Sequence, residues 1–169
     1  FGLWDREKGQ SVMTLRGESA GIWTVAISQD GRRAISGSDD STLRLWDLEK
    51  GQAIKTLRGH TYGVGAVAIS QDGRRAISGS DDSTLRLWDL EKGQAIKTLR
   101  GHTDRHRTLP ITHAGKSAIA GDDDRNLRLW DLEKGHAIKT LRAHTANVGA
   151  LPMTYNDWSD AVDSDAKNL

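Results

Sequence analysis

Three places in this 169-residue chain hold residues of the kinds that do chemistry. Asp122-Asp123-Asp124 is a run of carboxylates, and hard cations such as calcium prefer carboxylate oxygen. Ligands in calcium loops alternate along the chain, so an unbroken run suits a turn better than an ion site. His102 and His106 are four residues apart, a spacing that aligns two metal ligands only when both lie on one helix. Gly63-Val64-Gly65 has closely spaced glycines, as a phosphate cradle does, but it sits inside a strand pattern and leads into no helix. No serine occupies a strand-to-helix elbow of the hydrolase kind. Cysteine is absent, which excludes disulfides, thiol catalysis and zinc–thiolate sites. These residues predict no enzyme, no cofactor and no bound metal.

The elements that carry them repeat. Tryptophan followed by aspartate occurs at Trp4-Asp5, Trp46-Asp47, Trp88-Asp89 and Trp130-Asp131, in steps of 42 residues. A second marker keeps the same phase: Gly59-His60 and Gly101-His102, with Gly17-Glu18 and Ala143-His144 as altered copies. Glu18, His60 and His102 each stand 28 residues before the tryptophan of the following Trp-Asp pair, Trp46, Trp88 and Trp130. A fixed period of roughly 40–45 residues decides the architecture before any local reading does. Residues 25–61 and 67–103 are identical.

Within one copy the pattern predicts four short strands: Val64 to Ser70, Arg75 to Gly79, Thr84 to Trp88 and Gln94 to Leu99. Gln71-Asp72-Gly73 supplies a tight turn between the first two, since Asp-Gly between apolar runs is a strong hairpin signal. Asp81-Asp82-Ser83 turns the second strand into the third, and Asp89 to Gly93 is a longer turn. Val67-Ala68-Ile69 and Ala76-Ile77-Ser78 put apolar or small residues on both faces. A sheet with one wet face would alternate instead. This pattern suits sheets pressed between similar sheets, as blades are around an axis. Helical periodicity is nowhere sustained, and the expectation is an all-β chain.

The formal net charge is +1, with acidic and basic residues interleaved along every copy, so no basic stripe predicts a nucleic-acid partner. No apolar run approaches the roughly 18 residues that span a bilayer, and no signal-peptide pattern opens the chain. The lack of cysteine fits a reducing compartment, and the expected location is the cytoplasm. The first residue is Phe1, which suggests a piece of a longer polypeptide or a processed product.

The stretch GHT…VAISQDGRRAISGSDDSTLRLWDLEKGQAIKTLR resembles the WD-repeat family, strongly over residues 17–103 and with decay afterwards. The resemblance implies a β-propeller segment of four-stranded blades. It also implies, in each blade, a buried hydrogen-bonded chain of tryptophan, hydroxyl, histidine and aspartate. The matching positions are His60, Ser78, Asp82 and Trp88 in the second copy, and Ser36, Asp40 and Trp46 in the first, where Glu18 takes the histidine place. In the third they are His102, Asp124 and Trp130, with Ala120 in the serine place. On this reading the histidines and aspartates are structural, and a catalytic dyad is the weaker alternative.

In phase, the expected units are a half-blade over 1–16, blades over 17–58, 59–100 and 101–142, and a degenerate half-blade over 143–169. Unpaired edges invite pairing, so two chains joined through these half-blades into one ring is one expected arrangement. Inclusion in a larger ring is another, and a four-blade or open form a third.

The copies differ just after the Gly-His marker: Ala20-Gly21-Ile22-Trp23, Tyr62-Gly63-Val64-Gly65, Asp104-Arg105-His106-Arg107 and Ala146-Asn147-Val148-Gly149. In the family this loop lies at one end of the propeller, commonly the face that binds partners, beside the residue before the structural aspartate. Tryptophan, tyrosine and arginine are the usual hot spots. The candidates are therefore Trp23, Tyr62, Arg105 and Arg107, with Asp39, Asp81 and Asp123; the bland alternative for Trp23 is packing between blades. The expected function is a non-catalytic scaffold for a protein or peptide partner. Alternatives are a sensing or autoinhibitory region of a larger bacterial NTPase or kinase, and a self-assembly module. Because only the second copy carries the full chain of polar residues, amide hydrogen exchange should be slowest there and fastest after Ala143. Greatest protection over 147–169 would contradict this reading.

Overall fold

The structure, a computed structural model, describes residues 2–5, 7–8, 10–15, 20–100, 106–112, 115–122 and 126–142. Among them are strands and turns but no helix. β1 (Gly2–Asp5) and β2 (Gln10–Thr14) form a two-stranded sheet. Three four-stranded antiparallel sheets follow. The first contains β3 (Ile22–Ile27), β4 (Arg33–Ser38), β5 (Leu43–Asp47) and β6 (Gln52–Leu57). The second contains β7 (Val64–Ile69), β8 (Arg75–Ser80), β9 (Thr84–Asp89) and β10 (Gln94–Arg100). The third contains β11 (His106–Thr108), β12 (Ser117–Asp122), β13 (Asn126–Asp131) and β14 (His136–Arg142). Each is a simple meander, so sequence order is spatial order. The chain is an all-β propeller segment, and the expected half-blade over 143–169 lies outside the described residues.

Turn chemistry explains where the strands stop. The Ser70 hydroxyl donates to Asp72 Oδ1 at 2.6 Å, Arg74 N–H donates to the same oxygen at 3.0 Å, and Gly73 takes φ +66°. A short polar side chain thus mimics the backbone of a turn while glycine accepts the left-handed conformation. Ser28, Asp30 and Gly31 do the same in the preceding blade. The third-to-fourth turn belongs to the aspartate of each Trp-Asp pair. Asp47 Oδ1 accepts from Glu49 N–H and Lys50 N–H, both at 2.9 Å. Asp89 and Asp131 accept from Lys92 and Lys134 N–H, each at 2.8 Å.

The core lies between sheets, not within one. Ile35, Leu43, Leu45 and Leu57 of one blade pack with Val64, Ala76, Trp88 and Leu90 of the next. One period on, Ile77, Leu85, Leu87 and Leu99 pack with Leu109, Ala118, Ala120, Trp130 and Leu132. Leu15 closes on Ala34, Trp46 and Leu48 in the same manner. Full burial of each such leucine or isoleucine is worth about 1.5–3 kcal/mol. The second strand of the first two complete blades is buried on both faces, as the small and apolar residues there predict: Ala34, Ile35, Ser36 and Ser38 are all fully enclosed. Lysines add a polar latch across the joints, since Lys55 Nζ donates to the Glu91 carbonyl and Lys97 Nζ to that of Glu133.

The ladders carry two bulges per blade. In the outermost strands Ile54, Ile96 and Ile138 are each the extra residue, without a partner in the register, and each is exposed. In the innermost strands the extra residues are Trp23, Gly65 and Arg107. A bulge re-aims the side chain it carries.

Gly37 lies at a close approach between neighbouring blades. A Cβ there would lie 2.7 Å from both Thr24 Cγ2 and Val64 Cγ1, and neither β-branched side chain has a rotamer to spare. Gly37→Ala should therefore destabilise the fold by about 1–3 kcal/mol in a urea titration. An unchanged midpoint would mean that the joint is looser than described.

Candidate functional site

Among the described residues, a buried polar cluster stands in the second blade. The Trp88 indole N–H donates to Ser78 Oγ at 2.8 Å, and Ser78 Oγ stands 2.8 Å from His60 Nε2. His60 Nδ1 stands 2.8 Å from Asp82 Oδ2. One proton arrangement satisfies all three contacts. The indole can only donate and the carboxylate only accept, so Nδ1 carries the proton toward Asp82 and Nε2 receives the Ser78 hydroxyl. Asp82 also accepts from the Thr84 hydroxyl at 2.6 Å, Thr84 N–H at 3.0 Å and Thr61 N–H at 3.1 Å. The cluster thereby ties the Gly-His loop, the second strand, the turn and the third strand into one unit. Gly59 precedes His60 because a Cβ there would sit 2.6 Å from Arg86 Nη1 and 3.3 Å from the Trp88 ring.

Burial holds the His60 pKa below its ordinary 6.5, outweighing the hydrogen bond and charge of Asp82. Burial pushes Asp82 upward, but the Thr84 and His60 hydrogen bonds overcome it and hold the carboxylate at about 2. Neutral imidazole beside ionised carboxylate is the arrangement of a general base. Here, however, the ring's second nitrogen is spent on Ser78 and the His60 side chain is fully buried. The cluster is a brace.

The first blade keeps the indole–hydroxyl bond, Trp46 Nε1 to Ser36 Oγ at 2.9 Å, and Asp40 accepts from the Thr42 hydroxyl and N–H at 2.6 and 2.9 Å. In the third blade Trp130 is buried against a methyl group, Ala120, where the others have a hydroxyl. His102 and Asp124 lie outside the described residues. Sequence reasoning missed Thr42 and Thr84, although an Asp-x-Thr spacing was there to be read. It placed the turn from Asp89 to Gly93 but missed that the carboxylates of Asp47, Asp89 and Asp131 hold these turns as acceptors.

At one end of the blades the residues that differ between copies come together. Tyr62 is 64% exposed while its backbone is held, because its carbonyl accepts from Ser80 Oγ at 2.9 Å. Trp23 is 68% exposed at the bulge of β3, so it does not pack between blades. Asp39 N–H donates to the Gly21 carbonyl at 2.9 Å, and Asp81 N–H to that of Gly63 at 3.0 Å, which ties each loop to its neighbouring turn. Asp39 and Asp81 are exposed. Arg105 and Asp123 lie outside the described residues; Arg107 occupies the β11 bulge, with its side chain not described. Among the described residues no group of three or more histidine or carboxylate side chains stands ready for a metal ion. No helix there is long and apolar enough to cross a membrane.

On acidification the unfolded chain binds protons more readily than the folded one, at His60 below about pH 6.5 and at Asp82 below 3.8. Stability should be fully present above pH 6.5 and fall in those two stages. His60→Gln should flatten the first stage in urea midpoints taken between pH 7 and 5. Ser78→Ala strands both the indole and the imidazole and should cost roughly 2 kcal/mol or more; a loss under 0.5 would show that water replaces the hydroxyl. Compared with known families, residues 9–47, 51–89 and 93–131 each match the model described as WD domain, G-beta repeat. No curated protein matches the chain.

Proposed function

The chain belongs to the WD-repeat family, and from that premise we propose that it works without turnover, offering one end of its blades to a protein or peptide partner. Repeats of this family generally mediate protein–protein interaction. The observation that carries the assignment to a particular face is the pair of exposed aromatics, Trp23 and Tyr62, at the rim where otherwise repeated copies diverge. A large exposed aromatic on a fixed backbone loses little conformational freedom on binding, and such residues dominate interface energetics. Tyr62 has that fixed backbone through Ser80, and Trp23 is turned outward by its bulge.

A protein partner fits better than nucleic acid, because the exposed candidates among the described residues of this rim are aromatic and acidic, and phosphate would be repelled by Asp39 and Asp81. The chain should therefore be used as bait beside a Trp23→Ala, Tyr62→Ala double variant of equal thermal stability. Partners kept by the first and lost by the second are expected. Equal recovery would remove this face.

A further inference from the structure

Asp39 is placed differently from the other carboxylates of the turn. A Cβ on Gly21 would lie 3.3 Å from its Oδ2, and one on Gly63 would lie 3.2 Å from its Oδ1. The carboxylate therefore stands between the loops of two successive blades, with a glycine on either side leaving its oxygens open. Trp23 Nε1 approaches the same Gly21 position, at 3.9 Å, and Tyr62 is the residue directly before Gly63. An exposed acid thus stands between two loops that each carry an exposed aromatic residue, Trp23 in one blade and Tyr62 in the next. The next residue, Asp40, already has a cation in Arg44 at 3.8 Å, whereas no described cation pairs with Asp39.

We propose that this bracket takes a basic side chain, arginine above all, from the partner. The inference rests on the interaction reading above and deepens it. A carboxylate offers only acceptors and calls for a donor. Exposed rings on the two loops beside the carboxylate would favour a cation over a neutral donor, since a ring quadrupole can add to the ion pair. Arginine suits both at once, because its planar fork matches a carboxylate and its faces stack on rings, which an ammonium group does neither of as well. The three components come from separate places in the repeat: an inner-strand bulge, a loop and a turn. Each belongs to the part that varies or stands exposed. One period on, Arg105 occupies the position of Gly21 and Gly63, so the glycine on both sides is a property of Asp39 alone among Asp39 and Asp81.

The test uses short synthetic peptides of one neutral sequence carrying arginine, lysine, norleucine or glutamate at the centre, with binding followed by fluorescence anisotropy. Arginine-centred peptide should bind best, weaken as salt rises, and lose about tenfold in affinity with Asp39→Asn. Asp39 is exposed, so the variant should melt with the wild type, and that measurement accompanies the titration. Equal binding of the norleucine and arginine peptides, or indifference to Asp39→Asn, would overturn the inference. So would absence of binding by the arginine peptide at millimolar concentration. If partners are still lost with the Trp23→Ala, Tyr62→Ala variant in those cases, the face binds by other chemistry and only the arginine inference falls. If they are kept, both fall.

Discussion

Each four-stranded sheet of this chain is apolar on both faces, and no sheet of that kind can stand alone in water. Ile35, Leu43, Leu45 and Leu57 leave solvent only because Val64, Ala76, Trp88 and Leu90 of the next sheet meet them, and the same exchange recurs one period later. Stability is therefore shared between neighbours, in the way of repeat proteins whose units hold each other up. The requirement explains the sequence at its most conspicuous points. Tryptophan returns every 42 residues because each joint needs one wide ring. Gly37 stays small because the side chains of Thr24 and Val64 close over it.

Apolar joints set how much surface is buried but not at what angle. Direction comes from the polar brace, which converts a slippery contact into a fixed one. Trp88, Ser78, His60 and Asp82 hold four parts of one blade at hydrogen-bond distance, with a donor-only indole at one end and an acceptor-only carboxylate at the other setting the direction between them. The lowered pKa values of His60 and Asp82 belong to this bracing; in an unfamiliar fold the same pair would invite a catalytic reading. The distinction lies in access: the imidazole is sealed, whereas Trp23, Tyr62 and Asp39 stand at the rim in water.

Much of this was legible in the chain itself. Period, strand order and the Asp-Gly turn follow from spacing and from backbone preferences, which are local. The joint between blades was foreshadowed by small residues on both faces of Ala76-Ile77-Ser78. The bulges were not, because an extra residue such as Trp23 or Ile54 exists only relative to the register of the opposite strand, and no local signal marks it. The bracket around Asp39 was half legible. Trp23, Tyr62 and Asp39 each drew notice singly, but that the loops of two blades meet at one carboxylate is a matter of packing. The family resemblance supplied the brace residues, and the geometry then supplied what the resemblance lacked, namely Thr84 and the distances that join the members.

The outermost strands have one further consequence. An open strand edge is normally an invitation to stack, and a molecule built from near-identical sheets ought to be unusually exposed to fibre formation. Ile54, Ile96 and Ile138 interrupt β6, β10 and β14 at the same place, so no outer edge offers a long flat row of donors and acceptors. The perimeter is thus blunted against lateral zippering with its own kind. A polypeptide that multiplies one sheet by duplication copies this protection along with the sheet, and so can lengthen without becoming an amyloid hazard.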